Sequence, residues 1–430
     1  MKKSYYKVFA IFICSILIIS CGTKASQSFK NSGEGHLNTA KRLHIPYPSG
    51  PFEGPQRFKV TDVLPNELVY GPNHSVQHSV LNDGYLYIYT INSKYGQIRA
   101  VSTAMARKRI HEINAIAEIE KMSKGEEFVD GVTEKVKDVG KGAVNLVTHP
   151  IDTISGAASG VSKLFSRASE NIVGQARSDA EDNRIKSIAG FAKTKRDYGY
   201  DLHVDIYSRN PLLQDALDDL TWSGFSGNLV MAMTVAAVTG PLVSTVGATN
   251  LMNKVFRDTA PADLRIMNRE KLKNMQVTDS TADLFIENGI FTPREQTLLV
   301  NALDGMNNTR NREAFIKFAT NTYDPDVVFF RKRVAEMYAN YNQVISPISQ
   351  FKDLMPFTVG LAGKNKLVLC VPFDHLLWTA DIAKIATLLN QKITELSWVK
   401  QKNMVVGGTV SPMAREKLTE MGWDISERMF

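Results

Sequence analysis

Cysteine is scarce in this 430-residue chain, with only Cys14, Cys21 and Cys370. Cys14 lies in an amino-terminal segment expected to be removed, and Cys21 sits at its end. Cys370 then stands alone, which excludes an intramolecular disulfide and a Cys-based zinc site in the mature chain. Several catalytic signatures are also missing. There is no Gly-x-x-x-x-Gly-Lys phosphate loop and no Gly-x-Ser-x-Gly nucleophile elbow. His111-Glu112-Ile113-Asn114-Ala115 begins like a zinc-protease helix, but Ala115 stands where the second imidazole is required. His74 and His78 are four apart without an acidic or sulfur ligand near them, so both read as surface histidines.

A large excess of charge of one sign is also lacking. The chain carries 51 basic and 44 acidic side chains, a net +7. Lys2, Lys3 and Lys7 belong to the segment expected to be lost, which leaves 48 against 44, or +4. A dedicated nucleic-acid binder needs a concentrated basic face to release counterions, and this excess is too thin for one. From Leu220 to Asn253 there is no charged residue at all. Residues 229–248 would span about 30 Å as one helix, enough to cross a bilayer core. Gly240-Pro241 near the middle argues instead for a helical hairpin buried in the protein. A membrane-touching hairpin and a partner interface are the other readings.

What is present begins with an address. Residues 1–7 are basic and polar, and Val8 to Ile19 form an apolar run. Twelve residues make a helix of about 18 Å, which suits a signal h-region rather than a membrane anchor. Ile18-Ile19-Ser20-Cys21 follows, and then a polar stretch from Gly22 to Asn31.

These features resemble the signal and lipobox of bacterial lipoproteins, with Ile18 where leucine is commoner. The resemblance covers only the first 21 residues. It implies cleavage before Cys21 and attachment of diacylglycerol and fatty acid, such as palmitate, to that cysteine. The membrane is then a partner through the lipid on Cys21. Gly22 after the cysteine implies the outer membrane, facing the periplasm, if the cell is Gram-negative.

The remainder divides by pattern. Residues 21–57 read as a lipidated flexible tether, with Pro46, Pro48 and Pro55 near its end. Residues 58–102 read as an antiparallel β meander: strands are expected at Phe58–Leu64, Tyr85–Ile91 and Ile98–Val101, with turn residues Asn82-Asp83-Gly84. From 103 to 350 the period becomes helical. Ile110, Ile113, Ile116 and Ile119 mark one amphipathic helix, and Val144 to Phe165 carries another apolar stripe that suits helix packing or a membrane surface. Asn210-Pro211, Thr292-Pro293, Asp324-Pro325 and Ser411-Pro412 each place a capping side chain before proline. They predict helices near 211–221, 293–305, 325–342 and 412–421. Residues 351–430 read as a small α/β unit with strands at Lys366–Val371, Glu395–Val399 and Trp423–Ile425. The fold class is therefore α+β, mostly α.

Asp374-His375 follows directly on the strand ending at Val371, where open α/β sheets bind ligands, and is the one candidate for catalysis. Arg331-Lys332-Arg333 reads as a solvated helix face, with anionic headgroup contact as the lesser reading. No cofactor or metal is implied. The functional expectation is a non-enzymatic envelope scaffold or docking protein with an envelope protein partner. The alternatives are a hydrolase using Asp374 and His375, and a membrane-perturbing protein acting through residues 220–253.

Overall fold

The computed structural model describes residues 50–122, 179–225, 250–354 and 357–429. The signal, Cys21, most of the tether, the Val144–Phe165 stripe and residues 229–248 lie outside them.

The described chain is α+β and mostly α. It opens with β1 (Gln56–Lys59), the single helical turns α1 (Val60–Val63) and α2 (Asn66–Val69), then β2 (His74–Val76), β3 (Ser79–Asn82), β4 (Tyr87–Ser93) and β5 (Gly96–Val101). The strand expected over 58–64 is thus mostly a helical turn. Leu64 N–H bonds back to the Val60 carbonyl, which lets the Val60 side chain turn inward to full burial. β4 is the centre of the antiparallel sheet, pairing with β5 on one edge and with β3 and β2 on the other. Tyr87, Tyr89 and Ile91 are buried and Ile88 and Thr90 only partly, the period-two alternation of a strand with one covered face.

The cover is α3 (Thr103–Met122), whose Ile110, Ile113, Ile116 and Ile119 are all buried. α4 (Asp179–Asp201), followed by Leu202, and α5 (Pro211–Phe225), with Leu213, Leu217 and Leu220, complete this first core. α6 (Asn250–Asp258), α7 (Pro261–Asn274), α8 (Asp279–Ile286), α9 (Pro293–Asp304), α10 (Arg312–Thr320) and α11 (Pro325–Val344) form the helical middle. Its helix starts obey the predicted capping logic. Thr292 and Glu295 make a complete capping box at α9, and Asp324 accepts from two amides at α11.

The carboxyl-terminal part contains β6 (Ile348–Leu354), β7 (Phe357–Ala362), β8 (Lys366–Val371), β9 (His375–Leu376), α12 (Ala380–Thr394), β10 (Gln401–Val406), β11 (Thr409–Val410), α13 (Pro412–Glu420) and β12 (Trp423–Ser426). The main sheet runs β12-β10-β8-β7-β6. β8, β10 and β12 are parallel, joined through α12 and α13, while β7 and β6 are antiparallel additions. The strand expected at 395–399 is instead a pair of turns, and β10 begins at Gln401 opposite Lys366. The apolar stretch Met404-Val405-Val406 is what the sheet buries.

This sheet is covered on both faces. Val368, Cys370 and Val405 join the core of the helical middle, with Tyr338 and Phe351. Leu367, Met404 and Val406 face α12 and α13, in a core that also holds Tyr85, Leu86 and Val101 of the first sheet. The first sheet therefore packs against the last one.

Candidate functional site

The predicted pair Asp374-His375 lies just beyond the carboxyl end of β8. In this fold that position is filled by the first sheet. Gly84, whose φ is 126°, turns the chain between β3 and β4 so that its carbonyl accepts from Leu377 N–H at 2.8 Å. The Tyr85 carbonyl accepts from Asp374 N–H at 2.9 Å and His375 N–H at 3.2 Å, and Asn82 Nδ2 donates to the His375 carbonyl at 2.8 Å. On the other side, Gly408 N–H donates to the Phe373 carbonyl at 2.7 Å. A Cβ on Gly408 would stand 1.9 Å from the Asp374 carbonyl oxygen, so only glycine permits this approach.

The Asp374 carboxylate is directed inward. Oδ2 accepts from Tyr87 N–H at 3.0 Å and from Thr103 N–H at 3.0 Å. Thr103 is the first residue of α3, so the carboxylate satisfies an amide that the helix itself cannot, at the positive end of the helix dipole. Burial pushes the Asp374 pKa up to about 6, against the pull of the amide bonds from Tyr87 and Thr103.

The His375 imidazole has separate partners. Nδ1 lies 2.7 Å from Thr409 Oγ1, and the ring lies parallel to Tyr87 with centroids 6.4 Å apart and edge-on to Phe58 at 5.4 Å. Burial lowers its pKa, opposed by the carboxylates of Glu53 and Glu427. The Ser411 hydroxyl donates to Glu53 Oε2 at 2.5 Å and accepts from Ala414 N–H as the cap of α13. Glu53 Oε2 also accepts from Trp378 N–H at 2.6 Å. The side chains that would have to cooperate in hydrolysis are each engaged with a different neighbour, and together they fasten residues 53–103 to residues 374–411.

A second polar cluster was not anticipated. Glu112, on the apolar helix α3, is buried and accepts from Ser208 Oγ at 2.5 Å, Arg109 Nη1 at 2.6 Å and Asn210 Nδ2 at 3.0 Å. Burial alone would raise its pKa, but Arg109, Lys108 and the Ser208 bond outweigh it and hold the carboxyl below its ordinary value. Asp205 accepts from Lys108 Nζ at 2.6 Å and, despite burial, is drawn down to about 2 by Lys108 and Arg294. The network ties α3 to the connection between α4 and α5. Its signal in the sequence was Lys108, Arg109 and Glu112 at helical spacing beside the isoleucine stripe, but their partners lie far along the chain.

Other predicted positions fall differently. Arg331 and Lys332 are buried rather than solvated, at 3% and 4% exposure. Arg331 Nη1 donates to the Ala319 carbonyl in the last turn of α10, and its guanidinium lies over the Phe318 ring. Burial pushes its pKa down to about 9. Lys332 pairs with Glu336 one turn on. His74 is buried too, with Nε2 3.1 Å from the Leu68 carbonyl, whereas His78 is exposed. Cys370 is buried within β8 and its thiol pKa is pushed up. Among the described residues no group of three or more His, Cys, Asp or Glu side chains is placed to hold a metal ion, and no helix is long and apolar enough to cross a membrane.

No family model matches the chain, and neither does a curated protein or a solved structure.

Proposed function

We propose that this chain is a bacterial envelope lipoprotein, anchored through lipid on Cys21, that serves as a non-enzymatic scaffold or docking protein. The address rests on the charged start, the apolar run and Ile18-Ile19-Ser20-Cys21. The scaffold role rests on one observation: Asp374, in the position where an α/β sheet would offer a ligand site, bonds instead to the amides of Tyr87 and Thr103. A carboxylate occupied in this way holds two parts of the chain together and is withdrawn from substrate.

Two measurements test the reading. Cells fed an alkyne analogue of palmitate should label the chain, and Cys21→Ser should abolish the label and raise the molecular mass of the accumulated precursor. Gentle crosslinking in cells should then capture a stoichiometric envelope protein. An unlabelled wild-type chain would overturn the address. A hydrolytic activity lost on His375→Ala with the fold intact would overturn the scaffold role.

A further inference from the structure

We propose that the end of the carboxyl-terminal sheet opposite Asp374 docks on an anionic phospholipid surface. The parallel strands β8 and β10 both begin at this end, with Lys366 opposite Gln401. The turn between β7 and β8 presents Lys364, and Lys400 N–H closes onto that turn through the Asn365 carbonyl at 2.9 Å. Lys364 and Lys400 are exposed and Lys366 partly so. Among the described residues none of these three lysines takes part in an ion pair, whereas Lys417 on α13 is bridged to Glu420.

Apolar side chains project at the same end. β6 starts at Ile348, opposite Ala362 and next to the Lys364 turn, and the chain reaches it from Val344 and Ile345. Val344 is 71% exposed, Ile345 43% and Trp398 36%. Trp398 lies in the turns that lead into Lys400. Indole and aliphatic groups at the same end as lysines outside any ion pair, with Lys400 Nζ donating to the Ser397 carbonyl at 3.3 Å, match a bilayer interface, where the rings enter the headgroup layer and lysines meet phosphate. The acidic side chains at this end include Glu395 before β10 and, where β12 begins beside β10, Asp424 and Glu420, the last bridged to Lys417. Lys364, Lys366 and Lys400, with Lys392 in the last turn of α12, outnumber them, so the charge at this end is positive. That charge complementarity selects an anionic lipid surface over an apolar groove partner.

The described chain begins away from this surface. The first described residues sit at the far end of the sheet, where Glu53 N–H bonds to the Trp378 carbonyl. The inference stands on the surface alone, and the anchor of the proposed function adds only proximity.

The test uses the chain from Gly22 onward, which keeps every described residue and lacks the acylated thiol. It should co-sediment with phosphatidylcholine vesicles containing about one third phosphatidylglycerol at least tenfold more tightly than with phosphatidylcholine alone, and less as salt is raised. Lys364→Glu with Lys400→Glu should weaken binding at least tenfold without moving the melting temperature. The same two positions changed to Gln should give a smaller loss of the same kind. Lys59→Glu with Lys273→Glu, an equal charge change at exposed sites elsewhere, should bind like the parent. No binding to anionic vesicles, an unaffected Lys364/Lys400 variant, or an equal loss in the control pair would each overturn the inference. So would self-association through this end without vesicle binding, which would assign it to a second copy of the chain. Failure here together with palmitate labelling at Cys21 would leave the anchor standing.

Discussion

Asp374 Oδ2 accepts the backbone N–H of Thr103 at 3.0 Å, across a sequence separation of 271 residues. A carboxylate next to the carboxyl-terminal sheet thereby caps the helix that covers the amino-terminal sheet.

Asp374→Ala removes an acceptor from two buried amides, Tyr87 N–H and Thr103 N–H. The expected destabilisation is about 2–4 kcal/mol, measured by urea unfolding. Asp374→Asn keeps one carbonyl acceptor and should lose less.

The same residue sets a pH dependence. Its folded pKa of about 6 lies above the ordinary 3.8, so between those values the folded chain holds a proton that the unfolded chain releases. Its contribution is fully present below the unfolded pKa and is lost as pH rises through 6. The stability of the wild type relative to Asp374→Asn should therefore increase by about 1 kcal/mol from pH 7 to pH 5. A difference that shrinks on acidification would contradict this.

Glu112→Ala leaves Arg109, with Lys108 close by, around an empty buried position. Breaking a buried pair from one side should cost about 3–5 kcal/mol in unfolding free energy. Glu112→Gln, which still accepts from Ser208, should cost less. Equal losses in the two variants would mean that packing rather than charge compensation dominates.

Gly408→Ala places a methyl 1.9 Å from the Asp374 carbonyl oxygen, in backbone that is hydrogen-bonded on both sides. The expected loss is about 2 kcal/mol or more, seen as a lower melting temperature. Gly54→Ala, where a Cβ meets nothing within 4 Å, serves as the comparison and should be near neutral.

Cys370 is 1% exposed and burial raises its pKa. In the chain from Gly22 onward a thiol reagent should label nothing in the native state and one cysteine after denaturation. Rapid native labelling would show that the β8 core opens readily.

Much of the α content was legible because its signals are local. Thr292-Pro293-Arg294-Glu295 states a helix start within four residues, and the structure completes the same capping box. The β4 alternation was equally local. The β6–β7 hairpin was not read from the sequence, since Phe351, Val359 and Ala362 serve a buried sheet and carry no two-residue period that exposes one face. Arg331 and Lys332 misled for the opposite reason. A charged triplet on a helix reads as solvated, but Arg331 finds the α10 carboxyl terminus and the Phe318 ring beneath it.

By itself the sequence determined the helix starts, the central strands and the α+β class, since each is written in residues within a turn or two of one another. Only the tertiary structure decided what Asp374, Glu112 and Arg331 do. The role of a charged group depends on which donors and acceptors surround it after burial, and here those partners come from segments far apart in the chain.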